Sequence, residues 1–212
     1  MAQSTGHIVV SVEYRLAPEY RFPTALMDCY TAAKELYTNN LVLNTDPGRI
    51  TIMGDSAGGN LAAAVALMAR DKGEFQVHRQ ILIYPALYNT YTAASPYASV
   101  QENGTDYLLT AVKMQDYLKL YESCPEDRIN PYFAPLLAGD FSNMPETLIL
   151  TAEFDPLRDE GEDYGKKLAE AGNYVEVHRI RDALHGFFAL GIRFFHVQES
   201  FSYMNEFLKR EV

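Results

Sequence analysis

The sequence predicts an α/β fold, a three-layer sandwich in which helices cover both faces of a mainly parallel sheet. Two observations carry this expectation. Short runs rich in β-branched residues alternate with helix-period patterns along nearly all 212 residues, as right-handed crossover units require. Between one such run and the helix after it lies Gly54-Asp55-Ser56-Ala57-Gly58-Gly59, the punctuation of a sharp strand-to-helix turn.

Five strands are expected. The first, His7 to Tyr14 (HIVVSVEY), leads through a Pro-marked loop to a helix from about Thr24 that places Leu26, Tyr30, Ala33 and Tyr37 on one face. The second, Arg49 to Met53, feeds directly into Gly54. From Gly58 to Met68 nearly every residue is small or apolar, as in a helix buried on more than one side. A third strand, Arg79 to Tyr84, ends at Pro85. Residues 86–145 then lack a sustained period, apart from a helix marked by Ala111, Met114, Leu118 and Tyr121. They are expected as a surface excursion from one domain spanning 1–212. Within them, Asn103-Gly104-Thr105 fits a glycosylation sequon, but without a secretory route it reads as a plain Asn-Gly turn. The fourth strand, Thr147 to Ala152, is apolar enough to be buried on both faces. A helix from near Arg158 stops at Gly172, and Tyr174 to Ile180 is the fifth strand. The last helix, from about His196, turns Val197, Phe201, Met204 and Leu208 inward.

Composition narrows the function. Eighteen Lys and Arg against 28 Asp and Glu leave a net charge of −10 with no basic run, so the phosphate neutralisation that nucleic acid demands is missing. The two cysteines, Cys29 and Cys124, lie far apart and suit neither a metal knuckle nor a disulfide framework. The apolar run from Ile8 to Val12 is too short to span a bilayer or serve as a secretory signal, and a cytoplasmic location without membrane insertion is expected. Neither a cofactor nor a metal is expected.

The chemistry centres on Gly54-Asp55-Ser56-Ala57-Gly58, which matches G-x-S-x-G between a short strand and a buried helix. That context lifts the hydroxyl of Ser56, the candidate nucleophile, above the sheet. The amide of Ala57, at the start of the helix, is the candidate oxyanion donor. The competing reading is a phosphate-cradling loop, and Gly54 to Gly59 has its glycine spacing. It fails at Asn60 and Leu61, where Lys and Ser or Thr are required.

A serine needs a base and an orienting carboxylate, in chain order Ser, Asp, His at the carboxyl ends of the strands. Asp155 follows the fourth strand and is the candidate acid, with Glu153 its nearest competitor and helix-terminal charge its bland alternative. Of five histidines, His7 and His78 precede strands, His178 lies within one and His196 begins a helix. His185 alone falls on a loop after the last strand and is the candidate base. Asp55, Tyr84, Phe187 and Phe188 are candidates to line the substrate pocket, with ordinary core packing the alternative for at least one aromatic.

These residues resemble the hormone-sensitive-lipase family of α/β hydrolases. Val10 to Glu19 (VSVEYRLAPE) is close to its strand-and-loop signature, Gly54 to Asn60 to its nucleophile elbow, Glu153 to Gly161 to its acid motif and His185-Gly186-Phe187 to its base motif. The resemblance implies a serine carboxylesterase acting on short- or medium-chain acyl esters through an acyl-enzyme. Family members also have a cap, two leading strands and a third strand feeding a His-Gly-Gly-Gly loop, none of which occurs here. The expectation is therefore an incomplete, N-terminally truncated α/β-hydrolase fold with a weakened oxyanion hole. Its exposed sheet edge invites a second copy. The reading from another class is a non-catalytic, small-ligand-binding module or degenerate fragment.

Overall fold

The computed structural model describes residues 1–39 and 44–210. In chain order, α1 (Ala2–Thr5) and α2 (Thr24–Thr38) precede β1 (Thr51–Asp55), α3 (Ala57–Lys72), β2 (Arg79–Ile83), α4 (Ala98–Glu102) and α5 (Ala111–Tyr121). β3 (Glu146–Phe154), α6 (Arg158–Glu170), β4 (Val175–Leu184) and α7 (Phe195–Leu208) complete the fold. The four strands pair in parallel, in the order β1-β2-β3-β4.

Strand periodicity sorts the side chains into layers. Ile81, Ile83, Leu148, Leu150, Ala152 and Ile180 share one core with Val197, Phe201, Met204 and Phe207 of α7. Leu82 and Ile149, which fall between them in sequence, join Ala62, Ala63, Ala66 and Leu67 of α3 and Tyr164 and Leu168 of α6. On the outer side of α3, Leu61, Ala64, Val65 and Met68 join Leu26, Tyr30 and Ala33 of α2. α3 is thus packed on two sides, which accounts for its run of alanines.

Three expectations change. His7 to Tyr14 is not a strand, and Ile8, Val9 and Val10 are 69%, 49% and 50% exposed. A β-branched run becomes a strand only with a ladder partner, and none of the described residues supplies one. The run therefore pairs with neither β1 nor any other strand. Residues 86–145 lie on the surface over part of their length, with Leu108, Val112 and Ile129 exposed, but Leu87, Tyr91, Ser99, Val100, Asn103, Phe133, Ala134 and Leu136 are buried. The last strand runs four residues beyond Ile180, to Leu184. Among the described residues, no helix is long and apolar enough to cross a membrane.

The outer edge of β1 has no ladder partner among the described residues, and Met53, in register with buried Ile81, is 36% exposed. We propose that this edge lets these 212 residues self-associate. Light scattering is expected to show a mass that rises with concentration, and Met53→Lys is expected to hold the chain at monomer mass. A wild type that stays monomeric across the range removes this expectation.

Candidate active site

In a parallel sheet, every strand delivers its carboxyl end to the same rim, where the candidate residues sit. Ser56 follows β1 directly, with φ 53° and ψ −115°, a conformation that typically costs a non-glycine residue about 1–3 kcal/mol. Its backbone is held from three directions. Its N–H donates to the Ile83 carbonyl at 2.9 Å, and its carbonyl accepts from the amides of Asn60 at 3.1 Å and Ala86 at 3.3 Å. Asn60, the residue that defeats the phosphate-loop reading, donates through Nδ2 to the carbonyls of Ala86 and Phe133 at 2.7 and 2.9 Å. It thereby ties the start of α3 to the loop after β2.

The need for small residues falls unevenly on the glycines. A Cβ on Gly54 would lie 2.1 Å from the Gly58 carbonyl oxygen, and one on Gly59 would lie 2.9 Å from the Pro85 side chain. A Cβ on Gly58 would meet nothing within 4 Å. The tight approaches are therefore strand to helix at Gly54 and helix to loop at Gly59.

Asp155 and His185 reach Ser56 from β3 and β4. The fully buried carboxylate of Asp155 accepts from His185 Nδ1 at 2.7 Å, and His185 Nε2 lies 2.9 Å from Ser56 Oγ. Two strands separate β1 from β4, so His185 must be carried across them. A register shift does this. Ala152 pairs with Ile180, but Phe154 pairs with Leu184, so β4 spends four residues where β3 spends two. Such a bulge bends a strand and re-aims its end. At its centre Asp182 has φ 56°, and its N–H donates to Glu153 Oε2 at 2.7 Å. Glu153, the competitor for the acid role, thus braces the bulge while Asp155 meets the imidazole.

The remaining candidates divide. Ala57, at the first helical position, is exposed, and its N–H has no carbonyl one turn back to receive it. The Tyr84 ring lies 4.7 Å from the His185 ring and 5.3 Å from Phe187, and its hydroxyl reaches Asp55 Oδ2 at 3.4 Å. Burial and the nearby Asp55 push the Tyr84 phenol above its ordinary pKa, so it stays neutral. Phe187 is buried core, and half-buried Phe188 packs on Phe201. Of these aromatics, Tyr84 packs against the base, while Phe187 and Phe188 belong to the apolar core that continues from it.

A family model described as the alpha/beta hydrolase fold matches residues 1–189. The chain belongs to that family. It is 40% identical to an arylesterase of Saccharolobus solfataricus over 188 residues, 88% of this chain and 60% of the relative. It is 38% identical to an ethyl acetate hydrolase of Pseudomonas putida over 192 residues, 90% of this chain and 59% of that protein. A hyperthermophilic esterase from the archaeon Pyrobaculum calidifontis superposes with a TM-score of 0.89 at 44% identity, covering 98% of this chain and 68% of that one. The chain thus spans 60% and 59% of the length of the two curated relatives.

Sequence reasoning gave Glu160 no role of its own. It is fully buried, and its Oε1 accepts from the amides of Leu87 at 2.6 Å and Tyr88 at 3.3 Å and from the Tyr91 hydroxyl at 2.8 Å. Oε2 is buried without a partner. Burial raises the carboxyl from 4.5 to about 8, with the Asp155 charge adding to the shift and the three donors opposing it. A carboxyl raised in the folded state supports folding fully below its unfolded pKa and loses that support as pH rises through the folded value. The wild-type melting temperature is therefore expected to fall relative to Glu160→Gln between about pH 5 and about pH 9. Parallel melting curves across that window would contradict burial as the dominant influence.

Proposed function

We propose that this chain is a serine carboxylesterase acting on short- to medium-chain acyl esters. The observation that carries the reading is the continuous relay from Ser56 Oγ to His185 Nε2 at 2.9 Å and from His185 Nδ1 to Asp155 Oδ2 at 2.7 Å. A carboxylate only accepts, so Asp155 selects the tautomer with the proton on Nδ1 and leaves the Nε2 lone pair facing the serine hydroxyl. His185 takes that proton as Oγ attacks the ester carbonyl, and Asp155 stabilises the resulting imidazolium. The Ala57 N–H donates to the tetrahedral oxyanion. His185 then protonates the departing alcohol, leaving the acyl group on Ser56. Water, activated by the same imidazole, releases the acid and restores the serine.

The named activities of the arylesterase and the ethyl acetate hydrolase support small esters as the substrate class. The 212 residues supply the Ala57 amide at the elbow, and no His-Gly-Gly-Gly run that would add companion amides lies among them. Loss of one such donor typically lowers turnover about 10²–10³-fold. Strong loss would leave a pocket that binds an ester without turning it over, the ligand-binding reading.

A fluorophosphonate is expected to label the wild type and not Ser56→Ala. Asp155→Asn is expected to lower ester hydrolysis by about 10⁴-fold through the wrong imidazole tautomer. Folded wild type that binds an ester analogue but resists labelling would replace the esterase reading with the ligand-binding one.

A further inference from the structure

The Asn103-Gly104 step, read from sequence as a plain turn, lies against the loop that carries Asp155. Asn103 is 4% exposed, and its Nδ2 donates to the backbone carbonyls of Glu153 at 3.3 Å and Asp155 at 3.4 Å. One helical turn earlier, fully buried Ser99 donates from Oγ to the Pro156 carbonyl at 2.9 Å. The same oxygen accepts the Asp159 N–H at 3.2 Å, and the Ser99 N–H donates to Asp159 Oδ2 at 2.7 Å. Arg158 completes the contact. It donates to the Glu153 carbonyl at 3.2 Å and bridges Asp159 and Glu102, each at 2.8 Å.

β3 ends at Phe154, so the carbonyls that follow have left the ladder and need other partners. The Asp155 carbonyl accepts from the Arg158 amide at 3.2 Å and also from Asn103, and the Pro156 carbonyl accepts from Ser99, side chains that lie 52 and 57 residues earlier in the chain. Ser99 and Asn103 stand four apart, the spacing that brings two side chains to one helical face. The Asp155 carboxylate itself has one local bond, from the Leu157 amide to Oδ1 at 2.9 Å, besides its bond to His185. Its direction is thus set by the backbone beneath it.

We propose that Ser99 and Asn103 are positioning residues that clamp the backbone of residues 153–156 so that Asp155 Oδ2 meets His185 Nδ1. The role rests on the esterase reading, because it matters to catalysis only where Asp155 orients the base. It also gives the packed segment 86–109 a task in the site: α4 and the residue after it reach the acid loop and hold its backbone.

The clamp is tested with Ser99→Ala and Asn103→Leu, each made in the wild type and in Asp155→Asn. In the wild type each is expected to lower kcat on p-nitrophenyl acetate about 10- to 100-fold, with KM changed by less than about threefold. In Asp155→Asn each is expected to cost less than about twofold further, because the residue through which it acts has already lost its role. Equal losses in both backgrounds, or an unchanged kcat in the wild type, would overturn the clamp. Ser99→Ala, the smaller change, carries the test where Asn103→Leu does not fold. A readout without turnover separates this inference from the esterase reading. In Ser56→Ala, the downfield proton signal of His185 Nδ1–H is expected to be lost or displaced by either clamp substitution while circular dichroism stays native. An unchanged signal overturns the clamp even in a chain that no fluorophosphonate labels.

Discussion

The backbone of Ser56 is the point on which the rest of the structure depends. A serine at φ 53° persists only where its surroundings define it completely. Here β1 ends beneath it, α3 begins at the next residue, the Ile83 carbonyl holds its amide and the Asn60 and Ala86 amides hold its carbonyl. The close approach at Gly54 lets strand and helix meet at this angle, and the approach at Gly59 brings the loop after β2 against the helix. The small, apolar interior of α3 follows from the same demand, since a helix launched this steeply runs beneath the sheet with neighbours on both sides.

Once the serine is placed, the remaining geometry concerns reach. Strands in a sheet stand about 4.8 Å apart, so His185 at the end of β4 begins far from Ser56. The bulge around Asp182 folds the strand end inward, the Tyr84 ring supports the imidazole, and Glu153 pins the bulge. Acidic side chains in the Glu153–Glu160 run thus have distinct tasks set by their surroundings. Glu153 braces, Asp155 pairs with the imidazole, Asp159 joins the contact with α4 and Glu160 fills a buried polar niche against Tyr91.

The legible parts were those governed by local rules. The elbow, the alternation of strands and helices and the order Ser56, Asp155, His185 all follow from patterns within short windows. What local pattern could not reveal was partnership. His7 to Tyr14 has a strand's composition without a strand's neighbour. Residues 86–109 lack periodicity because their apolar side chains are divided between two cores, Leu87 in one and Tyr91 and Val100 in the other, while Ser99 and Asn103 bond to a distant loop. Glu160 gives no local signal because its three donors belong to a segment some seventy residues away in sequence. The bulge at Asp182 left no mark, since the register of β4 depends on β3.

The span of the relay bears on how the molecule folds. Ser56 and His185 are 129 residues apart, Asp155 and His185 only 30. The elbow belongs to a compact strand-turn-helix unit whose ends are close in the chain, whereas its partner arrives from near the opposite end. Closing so long a loop carries an entropic cost before any contact repays it. The relay can therefore close only once β4 has docked, and a chain folded short of that point carries its nucleophile without its base.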